Sequence, residues 1–135
     1  MNYDIMDTMV RMAMDAIRNA YIVNDGIAVG ACVLTEDGTL YSGCTVDNSN
    51  PELAITAEAV AMAKAISDGK REFDAIALVA DIDGYYIPDE LSHQLLEEFE
   101  VPEIVLADFD GNIEVVKIED ILPYRQRRRK HNNND

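Results

Sequence analysis

Residues 73–80 form an almost uninterrupted apolar run, and this run constrains the fold more than any other part of the chain. It lacks the alternation of polar and apolar residues that is typical of a strand with one face in water. A strand with such a run is covered on both of its faces. The sequence therefore predicts a sheet that lies between two layers of helices.

The segments around this run predict a mixed sheet with crossover helices. Apolar residues between positions 3 and 21 recur at three- and four-residue spacing, which indicates an amphipathic helix with a Met-rich core face. Asp37 and Gly38 form the turn of a hairpin. In chain order, the predicted segments are a helix at 3–21, strands at 28–34 and 39–46, a helix at 57–66, a strand at 73–80, a helix with the apolar stripe Leu91, Leu95, Leu96 and Phe99, and strands at 104–107 and 113–116.

Charge divides the chain into a body and a tail. The 135 residues carry a formal net charge of -15, with 6 Lys/Arg against 25 Asp/Glu before Tyr124 and 5 against 1 from Tyr124 onward. We predict one domain at residues 1–124 and a disordered basic and polar tail at 125–135, since the tail holds no apolar residue. The tail either contacts nucleic acid weakly or only solubilises an acidic body. Its cations are Arg125, Arg127, Arg128, Arg129 and Lys130.

The sequence carries no signal for membrane insertion or secretion. No apolar run approaches the roughly 18 to 20 residues that cross a bilayer, and the first residues lack the basic start of a secretory signal. We therefore expect a cytoplasmic protein. Cys32 and Cys44 lie in separate strand-like runs and form no Cys-x-x-Cys pair, which favours free buried thiols over a disulfide or a metal site.

Short segments between residues 17 and 124 share their order and register with one known family. They are Ala20-Tyr21, Val29-Gly30-Ala31, Leu34-Thr35-Glu36-Asp37-Gly38, Tyr41-Ser42-Gly43-Cys44, Val46-Asp47-Asn48, Ala57-Glu58, the run at 73–81, Pro88, the segment at 94–99 and Ile121-Leu122-Pro123. Together they resemble the small tetrameric cytidine deaminases. The resemblance implies an α/β fold with a mixed five-stranded sheet sandwiched by helices, and homo-oligomers, either tetramers or dimers.

The residues at the family's metal positions depart from its pattern. Such enzymes use a His-or-Cys-x-Glu element and a Pro-Cys-x-x-Cys element, whose zinc activates water while the glutamate moves protons. Here the ligand positions hold Thr56, Asp89 and Ser92, while Glu58 keeps the place of the proton shuttle. Hydroxyl groups are poor zinc ligands, so zinc is not expected and Glu58 is interpreted as a vestigial shuttle. Thr56, Asp89 and Ser92 are also suited to cap helices, and Glu58 by type alone fits a solvated helix carboxylate.

The resemblance also assigns positions to nucleoside recognition. Thr45 and Asp47 stand where the family grips the ribose hydroxyls, and both can form hydrogen bonds. Ile27 matches an aromatic residue that stacks on the base. Tyr85 and Tyr86, before Pro88, are candidates for an aromatic wall in its place.

The sequence leaves three functions open. The first is a non-catalytic module for nucleoside binding or assembly, which accepts a pyrimidine nucleoside in the vestigial pocket. The second is an active hydrolase that deaminates a nucleoside through Glu58, with an unusual metal set such as Asp89 and His93, or with none. The third is association with nucleic acid through the basic tail. We expect the first.

Overall fold

A computed structural model describes residues 1–24 and 26–121 of the chain. The order of its helices and strands is the predicted one. In chain order they are α1 (Tyr3–Ala16), β1 (Val29–Thr35), β2 (Leu40–Cys44), α2 (Ala57–Ser67), β3 (Phe73–Ala80), α3 (Glu90–Glu98), β4 (Glu103–Ala107) and β5 (Ile113–Lys117), with short 3-10 helices at Ile17–Asn19 and Pro51–Leu53.

The five strands form one mixed sheet in the order β2-β1-β3-β4-β5. β1 pairs antiparallel with β2 and with β3, and β4 pairs antiparallel with β5. β3 and β4 are parallel, so the chain crosses over between them through α3. β3 lies at the centre and is buried from Ala75 to Ala80, as its apolar run predicts.

Helices cover both faces of this sheet, and two glycines allow them to approach closely. α1 lies on one face and α2 with α3 on the other. A Cβ atom at Gly30 would lie 1.8 Å from the carbonyl oxygen of Ala13 in α1. At Gly43 it would lie 2.5 Å from the backbone nitrogen of Ala61 in α2. Only glycine therefore fits at either helix crossing.

α1 is shorter than the sequence pattern predicts. It ends at Ala16, and after the 3-10 turn the chain is extended at Ala20. The cause is a bridge to the segment that follows β2: the amide of Tyr21 donates to the carbonyl of Thr45 at 3.0 Å, and the amide of Asp47 donates to the carbonyl of Tyr21 at 2.8 Å. These bonds replace the helical bonds that a longer α1 would form.

The predicted apolar stripe of α3 is wrong at its first position. Leu91 is 82% exposed, whereas Ser92, His93 and Leu96 are buried. Residues three and four apart share one face of a helix, so Ser92 and His93 lie on the same face as Leu96. The inward face of α3 therefore begins with two polar residues.

Both cysteines are free thiols, but only Cys32 is buried as predicted, since Cys44 is half-buried. Cys32 is fully buried, and burial raises its pKa to about 12. The predicted tail at 125–135, its contact with nucleic acid and the domain end at residue 124 lie outside the described residues. Within the described part of the chain, no helix is long and apolar enough to cross a membrane.

Candidate functional site

Glu58 is a fully buried carboxyl group in the first turn of α2. The hydroxyl of Tyr86 donates a hydrogen bond to its Oε2 atom at 2.9 Å. Its Oε1 atom accepts no hydrogen bond of ordinary geometry from any described residue. Buried side-chain oxygens normally have a partner, and one that lacks it points to a missing ligand or to a chemical role. This carboxyl is therefore the centre of the candidate site.

The surroundings of Glu58 favour its neutral form. Burial raises its pKa, and the hydrogen bond from Tyr86 offsets part of that increase. Two residues at the start of α3 act on the same carboxyl: the Ser92 side chain lowers the pKa, and the Asp89 carboxylate raises it. The starts of α2 and α3 therefore converge on Glu58. An acid with a raised pKa keeps its proton to a higher pH than an exposed one, and while protonated it is able to donate a hydrogen bond or a proton.

Two of the three former ligand positions cap helices. The hydroxyl of Thr56 accepts from the amide of Ala59 at 3.2 Å and begins α2. The carboxylate of Asp89 accepts from the amide of Ser92 at 2.9 Å and begins α3. These oxygens satisfy helix amides that otherwise have no partner, as the capping alternative predicts.

These residues do not fit the zinc that the family implies. Protein zinc sites with real affinity use thiolate, imidazole or carboxylate ligands, and of the three positions only Asp89 supplies one. In the described part of the chain, no three His, Cys, Asp or Glu residues are grouped so that they could hold a metal ion. No step of a reaction is therefore assigned to a metal here.

His93 does not turn toward Glu58. Its Nε2 atom lies 3.2 Å from the carbonyl oxygen of Ile118, and its Nδ1 atom lies 3.4 Å from the carboxylate of Glu97. The side chain is buried and links α3 to the segment after β5. The alternative metal set of Asp89 with His93 is therefore not assembled.

A small pocket opens beside the Glu58 carboxyl at the start of β1. It has a volume of about 190 Å³, and the predicted residues Ile27, Thr45 and Tyr86 line it. The hydroxyl of Thr45 accepts from the amide of Val29 at 3.0 Å, so this side chain also holds the strand start in place. Three of the five residues that the resemblance assigned to nucleoside recognition thus meet at one cavity.

The other two, Asp47 and Tyr85, do not line this pocket. The carboxylate of Asp47 accepts from the amides of Asn48 at 2.8 Å and Val23 at 3.2 Å, and these bonds lower its pKa. The Asp47 carboxylate therefore stabilises a turn of the backbone. Tyr85 packs against the core, where burial and the carboxylates of Glu114 and Asp108 raise its pKa. These two carboxylates lie at the end of β4 and at the start of β5.

The sequence reasoning missed two pocket residues that precede α2, Ala54 and Ile55. Ala54, Ile55 and Thr56 form one side of the cavity. Ile55 is held there by two backbone hydrogen bonds with Val46, at 2.8 and 3.0 Å. An isolated bridge of this kind leaves no periodic pattern in the sequence, so only the apolar character of Ile55 signals it.

A larger cavity of about 430 Å³ lies at the opposite end of β1, beside the hairpin turn. The Asp37 carboxylate and the Lys70 ammonium on its wall form an ion pair at 2.7 Å. The hydroxyls of Thr35 and Thr39 also bond to Asp37. Together these contacts lower the pKa of Asp37, with the Lys70 bond contributing most. The Asp37 carboxylate is satisfied, so we place the candidate site at Glu58.

Comparisons with known proteins point to one family. A family model described as cytidine deaminase-like matches residues 11–111. A cytidine deaminase of Sporosarcina psychrophila is 36% identical over 121 residues, which cover 87% of this chain and 88% of the relative. A cytidine deaminase of Halalkalibacterium halodurans is 30% identical over 117 residues, which cover 85% and 89%.

Solved structures show the same relationship. The crystal structure of cytidine deaminase from Burkholderia pseudomallei superimposes with a TM-score of 0.81 and 31% sequence identity. The match covers 90% of this chain and 96% of that chain, so it includes the sheet and the helices on both of its faces. On this sequence and fold similarity, the chain belongs to the cytidine deaminase-like family.

Proposed function

We propose that this protein binds a pyrimidine nucleoside in the pocket beside Glu58 and does not use zinc to deaminate it. One observation carries this proposal: two oxygens at the former ligand positions, those of Thr56 and Asp89, are committed to capping helices. A metal at this place would have to compete with helix amides for its ligands. Capping by such residues stabilises a helix by about 1 kcal/mol.

The lining of the pocket supports a planar ligand with polar groups at its edge. Ile27 and Ile55 offer apolar walls, Tyr86 offers an aromatic ring, and Thr45 offers a hydroxyl. Ligand sites are commonly apolar clefts with a few polar groups that fix orientation. The relatives are named cytidine deaminases, which makes a pyrimidine nucleoside the first ligand to test.

Titration calorimetry with cytidine and uridine, in the presence of a metal chelator, tests nucleoside binding. We expect saturable binding of one nucleoside per chain. Ile27→Asp places a charge on the pocket wall and should abolish binding, whereas Val115→Asp on β5 should not. The two variants are matched, since Ile27 is 49% and Val115 is 40% exposed. Absence of binding to the wild-type protein would contradict the proposal.

A deaminase that works through Glu58 is the second candidate. Its support is the position of the buried carboxyl, whose raised pKa suits a group that carries a proton. Turnover without the usual ligand set would require a metal held by other residues, or none. Measurement of cytidine turnover separates this candidate from a binding module.

We also propose that the protein self-associates near the pocket. Tyr21, Val46 and Ile55 are 59%, 37% and 44% exposed, and backbone bridges join them into one apolar surface. Leu53, at 60% exposed, lies two residues before Ile55. Contiguous exposed apolar residues of this kind commonly mark an interface. Light scattering should give a mass above that of one chain, and Leu53→Asp should reduce it while Val115→Asp should not.

A further inference from the structure

Tyr86 contacts both the pocket and the Glu58 carboxyl. Its side chain lines the cavity, and its hydroxyl donates to Oε2 of Glu58. Glu58 itself is fully buried and does not line the cavity. Tyr86 is therefore the pocket residue whose side chain bonds to the buried carboxyl.

The size of the cavity agrees with this arrangement. Ligand pockets usually enclose roughly 300–1,000 Å³. This cavity, at about 190 Å³, falls below that range.

We propose that Tyr86 determines which ligands reach Glu58, because its ring closes the passage between the pocket and the carboxyl. A ligand makes contact with Glu58 only if the ring moves aside. Tyr86 lies in the stretch between β3 and α3, which has no regular helix or strand and turns at Gly84 with a φ of +82°. This inference deepens the proposed nucleoside binding and rests on it for the identity of the ligand.

The chemistry of Glu58 selects among the ligands that displace the ring. Such a ligand has to replace the hydrogen bond that Tyr86 donates to Oε2, since an unpaired buried oxygen is destabilising. Oε1 accepts no hydrogen bond of ordinary geometry from the described residues, and it gains one at the same time. A planar base whose edge donates to Oε2 and also bonds to Oε1 meets both needs, whereas an apolar ligand of the same shape meets neither.

Chemical labelling of carboxyl groups tests the closed passage without any nucleoside. A water-soluble carbodiimide converts an accessible carboxyl group to an amide with added glycine ethyl ester, and peptide mass spectrometry reads the labelling of each residue. The exposed Glu52 serves as an internal standard. In the wild-type protein we expect Glu52 to be labelled and Glu58 to remain unlabelled.

Tyr86→Ala should increase the labelling rate of Glu58 relative to Glu52 by about 10-fold or more, since a closed site reacts only through local opening. Tyr86→Phe keeps the ring and should leave the rate low, and Tyr85→Ala is the matched control for loss of a neighbouring tyrosine. Tyr86→Val replaces the alanine variant if circular dichroism shows that the latter does not fold.

Equal labelling of Glu58 in the wild type, Tyr86→Ala and Tyr85→Ala would overturn the inference. Fast labelling in Tyr86→Phe would also overturn it, because it would show that the hydroxyl and not the ring protects the carboxyl. Failure of nucleoside binding in the calorimetry, with labelling as expected, would instead remove the proposed ligand and leave the role of Tyr86 intact.

Discussion

The two faces of the sheet differ in what their helices bury. α1 buries only apolar residues, namely Met9, Val10, Ala13 and Ala16. α2 and α3 bury apolar residues as well, but they add Glu58, Ser92 and His93. A buried polar group costs stability unless it has a partner. The face that α1 covers therefore only stabilises the fold. The face that α2 and α3 cover loses some stability at the place where the candidate site lies.

The largest effect should come from filling the helix contact on the apolar face. Gly30→Ala places a Cβ atom against the backbone of Ala13, which cannot move without displacing α1. We expect a loss of about 3 kcal/mol or more in the free energy of unfolding, measured by urea denaturation. Gly26→Ala is the control, since its Cβ would meet only side-chain atoms at 3.6 Å or more. A stable Gly30→Ala protein would show that α1 does not rest on β1 as described.

Glu58→Gln tests the cost of the buried carboxyl on the face that α2 and α3 cover. The raised pKa of Glu58 means that the folded state keeps a proton that the unfolded state loses near the ordinary value of 4.5. Wild-type stability should therefore fall, relative to the variant, as the pH rises above that value and toward the raised pKa.

We expect the difference in unfolding free energy between wild type and Glu58→Gln to shift in favour of the variant as the pH rises from about 4 to about 8. Urea denaturation of both proteins across this range measures it. A pH-independent difference would indicate that the buried carboxyl is not held in its neutral form.

Loss of a helix cap should have a smaller effect. Asp89→Ala removes the acceptor for the amide of Ser92 and should cost about 1 kcal/mol, measured by thermal unfolding. Asp89→Asn retains a capping oxygen and should cost only a few tenths of that amount. Equal losses in both variants would indicate that the charge of Asp89, and not its cap, stabilises α3.

The smallest effect should come from the exposed side of α3. Leu91 is 82% exposed, so Leu91→Ser should change the free energy of unfolding by no more than about 0.5 kcal/mol. Leu96→Ser, on the buried side of the same helix, serves as the contrast in the same denaturation experiment. A large loss of stability in Leu91→Ser would indicate that Leu91 is buried, as the apolar stripe in the sequence predicted.

Periodic patterns predicted the fold well because they report burial directly. The run at 73–80 corresponds to β3 without a shift, and Asp37 with Gly38 marked the hairpin turn. The end of α1 was not predictable in this way, since it depends on a bridge between Tyr21 and a segment after β2. Contacts between distant segments override local helix preference.

The candidate site was predicted in part. The resemblance located Glu58 and the ligand positions, because these follow from register along the chain. It did not reveal that Tyr86 bonds to Glu58, since that contact joins residues 28 positions apart. Nor did it reveal that backbone amides bond to the Asp47 carboxylate, which the resemblance assigns to ribose recognition.

The central claim is that this cytidine deaminase-like chain binds a nucleoside without a catalytic zinc. The most direct test is cytidine-to-uridine turnover by the purified protein supplied with excess zinc, with Glu58→Gln measured beside it to exclude a contaminating enzyme. We predict no turnover above that of the variant. Turnover by the wild-type protein that disappears in Glu58→Gln would contradict the claim.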